Sequence, residues 1–175
     1  MVGPDVNVID TRSLSVGSGL VAAAVRRMAE DPDRSASILQ IAQELPDRLH
    51  TFVLVQNAEP LRRSCRAGLL PEDHLKRGRP LLLSVRSRSV LLDQVRDRTR
   101  AVRELVAHAR LSAAPDIGAW ALGHGDASDW ATVLDEASRV LGGRPAFTAP
   151  LDPTVGAHVG PDAIVIAVVS GPVEL

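Results

Sequence analysis

The run "AIVIAVV", Ala163–Val169, constrains this 175-residue sequence more than any other feature. It is unbroken, apolar and rich in β-branched residues, and it is bounded by "GPD" and "SGP". That pattern reads as a buried strand, so whatever this chain folds into must cover it. It is far too short to cross a bilayer as a helix. Just upstream, "VGAHVGPD" places His158 in a predicted loop between Gly156 and Gly160. A titratable ring in a run of small residues before a buried strand has two readings. It belongs to an ordinary loop, or it lines a site for something anionic.

The rest of the chain alternates. "VNVID" predicts a strand over Val6–Asp10, and "TRSLSVGSG" a small-residue turn. "GLVAAAVRRMAE" sets Leu20, Ala24, Val25 and Met28 on one helical face. A second helix is predicted over Ser35–Leu45 with Ser35 as cap, and Pro46 argues against its unbroken continuation. "HTFVLVQ" is a buried strand, and "EPLRRSCRAGLL" a short helix running into a loop. "PLLLSVRSRSVLLDQV" reads as a β-hairpin turning at "RSRS". A helix follows with Val102, Leu105, Val106 and Ala109 on its apolar face, then the strand "IGAWALGH". The last helix is expected to be capped by Asp126 or Ser128 and stopped by Gly142, with a short strand near Ala146–Ala149 after it. Strands alternating with helices, plus a hairpin, give an α/β fold: a mixed sheet with helices packed on it.

Composition excludes several functions. Apolar residues make up 45% of the chain, but aromatics only 2%, with no Tyr. The core must be built from Ala, Val, Leu and Ile, and a stacking platform for single-stranded nucleic acid has no basis. The single cysteine, Cys65, rules out an internal disulfide. With no basic-then-apolar leader in "MVGPDVNVID", a cytoplasmic location is expected. The five histidines show no metal-ligand spacing, so no metal site and no cofactor are expected. No Walker-type, dinucleotide-binding or nucleophile-elbow motif is present.

The net charge of −1 hides an asymmetry. Residues 60–110 carry thirteen Lys/Arg, twelve of them Arg, against five Asp/Glu, while the remainder is acidic. A basic middle fits an anionic ligand or partner, and it equally fits a solvated face balanced by its own acidic ends.

Six short motifs stand in order along the chain: "VIDTRSLSVGSG", "PLRRSCRAG", "RPLLLSV", "VRDRTRAVREL", "GHGDASD" and "VGAHVGPDAIVIAVV". Together they resemble the DegV family of fatty-acid-binding proteins over nearly the whole chain. The resemblance implies two α/β lobes with a fatty acid between them, its acyl chain buried in the C-terminal lobe and its carboxylate at the cleft. It implies a carrier and not an enzyme, one that in some members presents the carboxylate to a separate fatty acid kinase. On this reading residues 1–60 are the remainder of the N-terminal lobe and 61–175 the lipid-binding C-terminal lobe. The family's motifs upstream of V-I-D do not occur in this sequence. The first strand is therefore expected to lack its usual neighbours, and a second copy or an N-terminal partner to complete that edge.

By the resemblance, the lipid-binding residues are His158, Arg96, Arg66, Thr11, Gly156 and Gly160. His158 matches the carboxylate-side histidine, Arg66 the arginine of the G-G-R-I motif, Arg96 that of the V-R motif, and Thr11 the serine after V-I-D. The guanidinium fork suits carboxylates and acyl phosphates, and the two glycines would let the backbone approach closely. Asp162 stands where the family has glycine, and a carboxylate beside an anionic headgroup would repel it. A family member that has lost lipid binding and serves as an interaction module is the alternative. Nucleic-acid binding through the basic middle ranks below both.

Overall fold

The computed structural model describes residues 6–31, 38–63 and 75–175. Its elements run α1 (Val16–Ala29), α2 (Ile38–Arg48), β1 (Leu49–Val55), α3 (Glu59–Arg63), β2 (Leu81–Arg86), β3 (Arg88–Gln94), α4 (Arg98–Ser112), β4 (Ile117–His124), α5 (Trp130–Leu141), β5 (Thr148–Pro150), α6 (Pro153–Val159) and β6 (Ile164–Ser170). One six-stranded sheet has the order β3-β2-β1-β6-β4-β5. All neighbours pair antiparallel except β4 and β5, so the sheet is mixed, as expected.

The apolar run "IVIAVV" takes the inner position its composition demands. β6 lies between β1 and β4, and residues 164–169 are buried on both faces. Strand residues alternate between the two faces. Val165, Ala167 and Val169 join Val53, Val55, Leu81 and Leu83 on one face, under Leu20, Val21 and Ala24 of α1. Ile164, Ile166 and Val168 join Leu54, Leu82 and Leu122 on the other, under Leu105, Val106 and Ala109 of α4 and Val133 and Ala137 of α5. The result is a three-layer sandwich. The expected boundary at residue 60 crosses this sheet: β1, which precedes it, is hydrogen-bonded on both edges to strands that follow it.

Several sequence expectations need correction. Val6–Asp10 forms no strand; Val6 and Val8 are exposed, and without a pairing partner alternation alone does not make one. The edges of the described sheet are β3 and β5. α2 continues through Pro46 to Arg48. The proline lies in its last turn, where its ring is buried and the missing N–H costs only the end of the ladder. The residue at the N-cap of α5 is Asp129, not Asp126 or Ser128, and its side chain makes no capping bond because it serves Arg98. Gly142 does end α5, with φ 88°. The short strand is Thr148–Pro150, two residues later than its predicted start. His158 sits in the last turn of α6, not in a loop: Asp152 caps that helix through Val155 N, and Gly160 closes it. Ser35, Cys65, Arg66 and His74 lie outside the described residues.

Candidate functional site

The face of the sheet beneath α1 is covered unevenly. α1 packs over β6 and β4, and α3 and α6 pack on each other. Over β1 and β2 a cavity of about 630 Å³ remains. Val53, Leu83 and Val85 form its floor; Leu14, Leu61, Val155 and Val159 form apolar walls. Its polar lining comes from two parts of the chain. His158 and Thr154 belong to α6, and Arg12, Ser13, Ser87, Arg88 and Ser89 belong to the N-terminal segment and the hairpin turn, with Asp10 beside them.

The α6 end is built around glycine. Gly160 adopts φ 86° and ψ 165°, a region open essentially to glycine alone, and a Cβ there would lie 3.0 Å from Pro60 Cγ of α3. The turn that follows is held by Gly125 N to Ala163 O at 3.0 Å and Asp126 N to Pro161 O at 2.6 Å. Arg98 adds a third tie. Its Nη1 donates to the Asp162 carbonyl and to Gln56 Oε1, both at 2.9 Å, while Nε and Nη2 grip both oxygens of Asp129 at 2.6 and 2.7 Å. The Asp129 carboxyl is held below its ordinary value, first by that hydrogen bond. One guanidinium thus joins the end of β1, the start of α5 and the turn after α6.

His158 is half-buried and faces the cavity. Its Nδ1 is sealed from solvent with no hydrogen-bond partner. A neutral ring avoids burying an unpaired N–H by carrying its proton on Nε2, which leaves Nε2 as the donor.

The other end is made by the N-terminal segment folding against the hairpin. Ser87 N donates to Arg12 O at 3.1 Å, and Arg12, Ser15 and Ser87 all take positive φ, near 50°. Arg12 and Arg86 both bind Asp47, at 2.8 and 3.2 Å, and hold its carboxyl below the usual range. Ser13 Oγ meets the fully buried Thr51 Oγ1 at 2.6 Å, and this pair sits against Gly17, where a Cβ would overlap Ser13 Oγ.

The expected site residues distribute as follows. His158 lines the cavity. Gly160 shapes its rim through φ, while Gly156 lies inside α6 with open space where a Cβ would be, so no close approach requires glycine there. Thr11 is flanked by the lining residues Asp10, Arg12 and Ser13, and its hydroxyl lies 2.9 Å from Ser18 Oγ. Arg96 is exposed between β3 and α4 and is not among the lining residues. Asp162 is exposed, is not among the lining residues, and offers its backbone carbonyl to Arg98. Sequence reasoning missed Arg12, Arg88 and the Arg98 tie. Of the two arginines flanking Ser87 in "RSRS", Arg88 is among the lining residues and Arg86, bound to Asp47, is not.

A smaller hollow of about 360 Å³ lies between α1, α2 and the C-terminal residues. Its Arg48 is already bound to the carbonyls of Ser170 and Pro172. Among the described residues no group of three or more His, Cys, Asp or Glu side chains is placed to hold a metal ion, and no helix is long and apolar enough to cross a membrane.

The family model described as "Uncharacterised protein, DegV family" matches residues 1–171. The chain belongs to the DegV family. A DegV domain-containing protein of Mycobacterium tuberculosis is 31% identical over 176 residues, covering 95% of this chain and 61% of that protein. The chain thus spans about three fifths of the length of the curated relatives it matches. A DegV family protein from Corynebacterium glutamicum shares the fold with a TM-score of 0.81 at 23% identity, over 96% of this chain and 65% of the other. A stearic acid-binding protein from Eubacterium ventriosum superposes with a TM-score of 0.85 at 18% identity, over 95% of this chain and 60% of the other. The mixed sheet and its helices are therefore a DegV arrangement, and the cavity over β1 and β2 lies within it.

Proposed function

We propose that this chain is the acyl-binding part of a DegV-type fatty-acid carrier. The observation that carries the reading is the cavity itself: about 630 Å³ of space on an aliphatic floor, with a histidine turned into it. That volume lies inside the range of about 300–1,000 Å³ usual for small-molecule sites. An acyl chain lies along Val53, Leu83 and Val85, and burying each methylene contributes about 0.8 kcal/mol. The carboxylate lies toward α6, where His158 Nε2 donates to it.

The stearic acid named for the Eubacterium ventriosum protein supports the ligand class. A carrier of this kind would offer its carboxylate to a separate kinase in the cytoplasm. His158→Ala tests the headgroup assignment: retention of fatty acid should fall severalfold while the fold, read by circular dichroism, is unchanged. Equal retention by the variant removes His158 from the site.

A further inference from the structure

Most of the basic middle of the chain lies outside the acyl cavity, and part of it converges on a second hollow. About 340 Å³ of space opens between α3 and the turn ahead of β2, lined by Asn57, Ala58, Glu59, Arg62, Arg77 and Gly78. Helix α3 serves both: its Leu61 lines the acyl cavity and its Arg62 the hollow.

Both walls are anchored. Asn57 Oδ1 accepts from Glu59 N at 2.9 Å, an Asx bond that starts α3, and Arg62 N donates to Ala58 O at 3.0 Å. On the other wall the Gln94 side chain clasps the backbone of Lys76, accepting from its N and donating to its O, both at 2.7 Å. Val95 N donates to Pro80 O at 2.9 Å. Arg77 and Gly78 form the turn between these ties, with Gly78 at φ 72°.

The lining holds more donors than acceptors. Arg62, half-buried, and Arg77, exposed, have no ion partner among the described residues. Only the oxygen of the Asn57 amide is engaged, which leaves its nitrogen as a donor. Glu59, the one carboxylate in the lining, is bound to Arg63 at 3.4 Å. Two guanidiniums on one hollow repel each other, and an anion placed with them reverses the sign. Their forks suit phosphate oxygens, and a phosphate dianion offsets both charges where a carboxylate offsets one.

We propose that this hollow is a phosphate-binding site separate from the acyl cavity. Arg62 and Arg77 supply its charge, and the Asn57 amide is a third donor. The ligand is a phosphate group, free or at the end of a phosphate ester. Because Arg77 is exposed, solvent and salt screen the contact and binding is moderate.

Amide-resolved NMR of the chain at low salt, titrated with inorganic phosphate, adenosine monophosphate and acetate, tests this. Phosphate should shift the Gly78 amide and the Asn57 side-chain amide saturably, and acetate should bind more weakly. Arg62→Gln and Arg77→Gln should each weaken phosphate binding about three- to tenfold. Arg103→Gln, at an exposed position of α4 outside the hollow, should leave it unchanged. Tighter binding of the nucleotide than of phosphate supports the site and points to an ester; equal or weaker binding supports it and points to the free ion. Shifts that never saturate, acetate binding as tight as phosphate, or affinity unchanged in both glutamine variants of the hollow overturns the proposal. None of these readouts involves fatty acid, so the acyl reading stands or falls separately.

Discussion

Arg98 grips both carboxylate oxygens of Asp129, at 2.6 and 2.7 Å, and the same guanidinium holds the carbonyl of Asp162 in the turn after α6. A fork of this kind fixes geometry as well as adding energy. Arg98→Ala leaves Asp129, Gln56 and a backbone carbonyl without their donor. With the ion pair part-exposed, the loss should be about 1–2 kcal/mol, read from urea unfolding midpoints. Arg98→Lys should recover only part of it, since an ammonium cannot serve all three partners in one plane.

Gly160→Ala should cost more than an ordinary glycine substitution. The residue sits at φ 86° and ψ 165°, and the added methyl meets Pro60 Cγ at 3.0 Å. The expected loss is about 1–3 kcal/mol. Gly156→Ala, with open space around its Cβ position, is the control, and in helical α6 it should be neutral or slightly stabilising in the same unfolding assay.

Gly17→Ala should disturb the cavity from behind. The new methyl overlaps Ser13 Oγ and lies 2.6 Å from Thr51 Oγ1, so the Ser13–Thr51 bond breaks or the segment bearing Arg12, Ser13 and Leu14 shifts. Fatty-acid affinity and stability should fall together, about 1–3 kcal/mol in the latter. Unchanged values for both would show that Ser13 moves freely.

Stability should fall on acidification in two stages. Burial, and secondarily Arg86, lowers the His50 value, so the folded chain favours the neutral ring. The unfolded chain then binds the proton more tightly: His50's contribution is complete above the ordinary histidine range and is lost as pH drops through it. Asp47 and Asp129 are lowered by their arginines, so their contribution holds above the ordinary aspartate range and disappears as pH falls below it. Urea midpoints between pH 8 and 5 should decline in the wild type and flatten in His50→Gln, with the acid stage retained.

Much of the architecture was legible because its signals are local. The apolar run at β6, the face of α4 and the hairpin around Ser87 each carry their own periodicity or turn chemistry. The failures have physical causes of a different kind. Val6–Asp10 alternates like a strand but pairs with none of the described strands, and Pro46 is tolerated because α2 ends two residues later. For the site, motif likeness drew attention to His158, which is among the cavity's lining residues, and to Arg96, which is exposed and is not among them. Which arginine faces a cavity depends on strand register and on the fold-back of residues 10–14, and neither is written in a motif.

The most direct measurement is denaturing extraction of the purified chain followed by mass spectrometry of the released lipids. The fatty-acid reading expects close to one acyl chain per protein molecule, reduced severalfold in His158→Ala. A well-folded preparation that releases no acyl ligand, and takes none up when titrated, contradicts it.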